Sequence, residues 1–251
     1  MITLQTDCLI RGGVLAGWMA AREAAAASLK TMLLHDGMGA SPWVHGFNVP
    51  VYPEDSADIF LQDTLASGQG LSDPALARAL CQDAAEVFDE IRAMGLSFNR
   101  EKDGSYQALR PLGASWPRVV SIGNETGAAI LTRLKEMLKG SVTELPATRA
   151  LKLLKDGSRV CGALAYDAAG KRWLNLRANA VVLACGGYCG IYPVSTNKRD
   201  SGGDGVAMAY EAGAELCDME FIQFEPSAAV WPRELVGNSV ITTPLFEGAG
   251  L

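Results

Sequence analysis

The sequence predicts an α/β fold with a parallel sheet and a β-meander, on three observations. An N-terminal strand, glycine turn and helix lead at once into a second apolar strand. Short strands broken by Asp-Gly and Ala-Gly turns fill residues 142–176, and a fully apolar run at 180–184 precedes a second glycine cluster. A chain of 251 residues, 49% hydrophobic and 20% charged, is long enough to bury a large core. Its net charge of −6 offers no basic field for a phosphate backbone, so no nucleic acid partner is expected. The longest apolar stretch, residues 12–21, is ten residues between Arg11 and Arg22, short of the roughly 20 that a bilayer span needs, so no membrane span is expected. Residues 1–7 lack the basic segment of an export signal. Six scattered cysteines without a CxxC pair, with two histidines, read as reduced thiols of a cytoplasmic protein with no metal site.

Residues 3–10 read as a strand, 18–29 as an alanine-rich helix and 30–34 as a second strand, a βαβ unit of ordinary size. Between the first strand and the helix stand Gly12, Gly13 and Gly17. Amides at a helix start lack intrahelical partners, and the helix dipole favours an anion there, so such a turn holds a pyrophosphate. The middle glycine of the GxGxxG pattern is Val14, whose Cβ stands where phosphates pass, and Arg11 replaces the usual apolar strand end. The other reading is a packing turn with no ligand. A ribose partner is expected at the end of the second strand, where His35 and Asp36 stand. Either Asp36 accepts the hydroxyl bonds, or His35 does so through a ring nitrogen, or Asp36 is a plain turn residue before Gly37.

The small-residue loop 37–48 follows the second strand, where open α/β sheets place ligand loops. Residues 74–94 have helical periodicity, with Leu76, Leu80, Ala84, Val87 and Ile91 as the expected core stripe and Ser72 or Asp73 as cap. Asp103-Gly104 signals a hairpin, and 124–138 a further helix. The meander strands are expected at 142–144, 150–154, 159–167 and 172–176, and the apolar strand 180–184 as one buried on both faces. Cys185 to Gly190 then turn sharply, and Gly202, Gly203 and Gly205 surround Asp204 just before a helix at 206–212. Two glycine turns, each beside a helix start, favour a long diphosphate ligand over a single packing turn.

The stretch 181–224, VVLACGGYCGIYPVSTNKRDSGGDGVAMAYEAGAELCDMEFIQF, resembles the strand, ATGG turn, TN segment, GDG loop, AMAYRAGAEL helix and DMEFxQF strand of the flavoprotein family of succinate dehydrogenase, fumarate reductase and L-aspartate oxidase. Residues 115–134 and the GASPWVHGFN loop are similar to family segments as well, and the likeness runs from 7 to 251. It implies a Rossmann-like FAD-binding domain over 1–220, with a helical insertion at about 50–140, and the start of an incomplete capping domain at 221–251. It implies FAD in extended form, with its pyrophosphate at Gly12, Gly13 and Gly17. Ser41 and the His45-Gly46 loop would then lie near the flavin ring, Ala150 near the adenine, and Gly186, Gly187 and Asp204 along the middle of the cofactor. His45 does not match the histidine that carries covalent flavin in some relatives, so non-covalent FAD is expected.

The departures bear on the substrate. The family's QFHPT, whose histidine binds a substrate carboxylate, is QFEPS here, placing Glu225 at that point. The family's TEALRGEG is replaced by a segment from Thr242 to Gly248 without the arginine. A dicarboxylate is disfavoured and a less anionic or cationic small molecule favoured. The other reading pairs Glu225 with a nearby arginine such as Arg233. The resemblance implies hydride transfer between substrate and flavin, with an electron-transfer partner subunit. The sequence ends within the capping region, without the cap's arginine, so the alternative is a truncated, non-catalytic FAD-binding or subunit-interaction module.

Overall fold

The computed structural model describes residues 1–224 and 228–237. The chain forms two compact units, Met1–Ala40 with Leu138–Leu251, and Ser41–Met137. It starts with β1 (Ile2–Arg11), α1 (Leu15–Ala26) and β2 (Thr31–Leu34). The second unit holds β3 (Phe47–Asn48), α2 (Ala57–Ser67), α3 (Pro74–Ala93), β4 (Ala108–Leu109), β5 (Val119–Val120) and α4 (Thr126–Met137). The first unit resumes with β6 (Val142–Leu145), β7 (Thr148–Asp156), β8 (Arg159–Asp167), β9 (Arg172–Leu183) and α5 (Asp204–Ala212).

The first unit is built on one mixed sheet in the order β6-β2-β1-β9-β8-β7. β6, β2, β1 and β9 run parallel, and β7, β8 and β9 form antiparallel hairpins. Register fixes the functional edge: Arg11 lies opposite Leu34 on one side and Leu183 on the other. The chain therefore leaves β1, β2 and β9 at one level, and the segments starting at Gly12, His35 and Ala184 emerge side by side at the carboxyl edge of the sheet. α1 packs on β1 and β2 with Trp18, Ala21 and Ala24 buried. Leu9, Met32, Leu34, Ala163, Leu176 and Met208 belong to a core cluster of the same unit.

The structure departs from four of the expectations. Residues 142–145 are not part of the meander: they pair in parallel with β2 as the sheet edge. Runs 172–176 and 180–184 are not two strands, because β9 continues through 177–179 and pairs on both sides at once. Its end is half-buried at Val181 to Leu183, not covered on both faces. The expected DMEFxQF strand takes no regular structure over 221–224.

In the second unit, Phe47, Phe88, Phe98 and Tyr106 meet edge to face with ring centroids 4.8 to 6.1 Å apart. Asp73 caps α3 by accepting the Ala75 and Leu76 amides, with Pro74 in the first turn. The buried face of α3 is Ala77, Cys81, Phe88 and Ile91, whereas Leu76 and Leu80 are 71% and 63% exposed. The core stripe is thus rotated from the expected one. Small Ala77 and Cys81 pack with Phe60 and Leu61 of α2, and a leucine in their place would hold the helices apart. Among the described residues no helix is long and apolar enough to cross a membrane.

Candidate functional site: the carboxyl edge of the first sheet

Backbone hydrogen bonds tie the turns at this edge together. The Gly12 amide donates to the Leu34 carbonyl at 3.0 Å, and the Ala184 amide to the Arg11 carbonyl at 2.8 Å. Gly12 has φ +138°, and a Cβ there would lie 2.1 Å from the Ala184 carbonyl oxygen, so only glycine fits. A Cβ on Gly13 would lie 2.5 Å from the His35 ring. One on Gly17 would lie 1.8 Å from the Gly12 carbonyl oxygen, which makes Gly17 a contact between α1 and the turn. Val14 is the N-cap of α1 in extended conformation and makes no side-chain cap, so the first-turn amides are left to a ligand or to water.

The edge is rich in paired charge. Arg11, with its side chain 10% exposed, reaches Asp36 at 2.5 Å. Arg149, the second residue of β7, grips Asp204 with Nε and Nη2, each at 2.8 Å, and its Nε lies 3.6 Å from Asp36. These hydrogen bonds hold the Arg149 guanidinium above its ordinary range, with the charges of Asp204 and Asp36 adding to the effect. His35 Nε2 is 2.9 Å from Glu144, so that nitrogen is already engaged. Asp200 Oδ2 accepts the Met38 and Gly39 amides at 2.8 and 3.0 Å, folding the loop after β2 onto the second glycine segment.

Around the second turn, a Cβ built on Gly186 (φ +71°) or on Gly187 meets nothing within 4 Å. Cys185 sits under the start of α5, where a Cβ on Gly205 would lie 2.8 Å from its Sγ. Burial pushes the Cys185 thiol up, against the opposing pull of Arg11. All six cysteines are unpaired. Gly203 caps α5 at φ +82°, and Asp204 is the first residue of that helix. Gly187 also borders a cleft of about 720 Å³ lined by Tyr188, Tyr192, Asn197, Phe221 and Phe224.

A groove at this edge therefore gathers Gly12, Gly13, His35, Asp36, Cys185 and Asp200. Asp204 joins it through Arg149. Ala150 is 1% exposed and belongs to the buried core of the sheet, so neither its side chain nor its main chain is open at the surface. Ser41, His45 and Gly46 belong to the second unit, where they are fixed to the start of α4. A Cβ on Gly127 would lie 1.9 Å from the Ser41 carbonyl oxygen, and one on Gly46 would lie 2.4 Å from that of Val120. Thr126 donates its hydroxyl to the His45 carbonyl. Glu225 and Thr242 lie outside the described residues. The sequence reading missed Arg149 and Asp200, whose partners are 55 and more than 160 positions away, beyond the reach of any local pattern.

The residues fit an extended dinucleotide: uncapped helix amides, a first turn that admits only glycine, and open space beside a second. Val14 is the exception. Its methyls lie 3.2 Å from where a Gly39 Cβ would stand, so they narrow the groove without closing it. A parallel sheet with such turns at its carboxyl edge defines a nucleotide-binding α/β protein. Residues 7–250 match the FAD binding domain family, and the chain belongs to it, with FAD as its cofactor.

One component of the fumarate reductase (CoM/CoB) of Methanothermobacter marburgensis, named as a subunit of that enzyme, is 32% identical over 256 residues, covering 98% of this chain and 46% of that protein. The L-aspartate oxidase of Agrobacterium fabrum is 34% identical over 231 residues, covering 90% and 44%. Among solved structures, Mycobacterium smegmatis Sdh1 in complex with UQ1 superposes with a TM-score of 0.91 at 27% identity, covering 98% of this chain and 44% of that one. E. coli quinol fumarate reductase gives 0.90 at 27%, covering 99% and 43%. The chain spans about half the length of the relatives it matches.

Proposed function

We propose that this chain is the FAD-binding part of an oxidoreductase of the fumarate reductase, succinate dehydrogenase and L-aspartate oxidase type, acting in the cytoplasm on a small molecule other than a simple dicarboxylate. FAD bound non-covalently supplies the hydride chemistry at a substrate C–C or C–N bond. The chain's own residues supply the hold. The amides at the start of α1, with Gly12 and Gly13, take the pyrophosphate, and Gly17 keeps the helix close enough for them to do so. Asp36 and His35 are assigned to the ribose side, Ala150 to the adenine side, and Gly186, Gly187 and Asp204 to the middle. Ser41, His45 and Gly46 are assigned to the ring.

The observation that carries the substrate reading is the cleft at Gly187. Its described lining is uncharged, with aromatic rings, Ser195, Thr196 and Asn197, and without lysine or arginine. A dicarboxylate needs cationic partners to replace its hydration, and where the family's QFHPT has a histidine this sequence has Glu225. Anaerobic mixing of the FAD-loaded chain with candidate donors tests this through loss of the visible flavin absorption. An uncharged or amine-bearing donor is expected to reduce the flavin, and reduction by succinate or L-aspartate would overturn the reading.

The relative from Methanothermobacter works as part of a larger enzyme by its name, which supports an electron-transfer partner subunit here too. Phe224, Val230 and Trp231 are each at least 80% exposed. Apolar surface of this kind favours a second reading, a non-catalytic FAD-binding or subunit-interaction module. FAD that no donor reduces would favour that module.

A further inference from the structure

Arg149 stands between the two acids assigned to the cofactor, gripping Asp204 in a bidentate pair and approaching Asp36, which is itself held by Arg11. The series Arg11, Asp36, Arg149, Asp204 links the ends of β1 and β2, the start of β7 and the first turn of α5. Asp36, Asp200 and Arg11 line the groove itself, and Arg149 and Asp204 adjoin it through the contact of Arg149 with Asp36. A pyrophosphate brings further negative charge into the same space. Arg11 is nine-tenths buried, gives Nη2 to Asp36 and keeps a buried Nε without a partner, whereas the Arg149 side chain is 50% exposed and bonds Asp204 through Nε and Nη2, with no acceptor for Nη1 among the described residues.

We infer that Arg149 is the positioning residue for the diphosphate of the cofactor: it offsets the carboxylates that would repel the phosphates and offers its free Nη1 to a phosphate oxygen. Arginine suits the task because its planar fork holds a carboxylate on one edge while other donors remain available. Because the contact is electrostatic and half exposed, it weakens with salt. The inference rests on FAD being the ligand of this groove.

The test is equilibrium binding of FAD and of ADP to the full chain freed of flavin, for the wild type, Arg149→Met and Arg149→Lys, at low and high salt. Arg149→Met is expected to weaken both ligands by about tenfold at low salt and by much less at high salt, the salt dependence of the wild type having been lost. Arg149→Lys should recover part of the affinity and the salt dependence, because the charge remains and the fork does not. The thermal midpoint of the ligand-free variants separates binding from folding. Unchanged FAD and ADP affinity in Arg149→Met overturns the inference and leaves FAD binding intact. A loss of affinity with the wild-type salt dependence retained, alongside a lowered midpoint, also overturns it and makes Arg149 a structural tie. A wild-type chain that binds no FAD at all removes both the inference and the cofactor assignment.

Discussion

Val14 is where the residue-level chemistry is most finely balanced. A glycine there would widen the groove beside Gly39, and at the N-cap of α1 glycine is better accommodated than valine. Val14→Gly is expected to tighten FAD by about tenfold, ~1.4 kcal/mol, while leaving the thermal midpoint of the ligand-free chain little changed; calorimetric titration measures the first and a melting curve the second. Unchanged affinity would mean that the phosphates do not pass Val14. The turn glycines were legible in the sequence because a positive φ or a close approach leaves no other residue possible, as at Gly12. The engagement of Asp36 by Arg11 and Arg149 was not, because an ion pair depends on chain segments brought together only by sheet order.

At the scale of elements, the first βαβ unit and the hairpin of β7 and β8 follow from apolar runs and Gly turns that any reader of the sequence meets. The stripe of α3 was misread because leucine signals burial by hydrophobicity, whereas the packing there selects small residues and Phe88. The tightest polar cluster of the second unit is Arg118, which donates to Asp55 at 2.6 and 2.7 Å and to Asp63 at 2.5 Å, with the first pair almost wholly buried. Removing one partner of such a pair strands a buried charge, so Asp55→Ala is expected to destabilise the chain by about 3–5 kcal/mol, read from denaturant unfolding. Burial pushes the Asp63 carboxyl up, but hydrogen bonds from Ser115 and Arg118 outweigh it and the folded-state value is lowered. Stability from Asp63 is therefore fully present above the ordinary carboxylate range, near about 4, and is lost as pH falls through the lowered value. Asp63→Asn should flatten the acid limb of a stability-against-pH curve, and an unchanged limb would contradict this account.

For the whole molecule, the sheet order decides what the chain can bind. Because β1 lies between β2 and β9 in parallel register, two glycine turns that are more than 170 positions apart in sequence open at one edge. Ligand that binds only the folded state stabilises it by about 2.7 kcal/mol at a hundred times Kd, so FAD should raise the thermal midpoint in a concentration-dependent way. The fold class was legible from pattern and resemblance together, since strand and glycine signals recur where the sheet needs them. The substrate was less so, because it depends on a cleft built from loops. The most direct measurement is the visible spectrum of the purified chain before and after acid or heat denaturation, with flavin counted per chain. The account predicts a yellow protein carrying close to one FAD per chain, released into solution on denaturation. A colourless chain that also takes up no added FAD would contradict it.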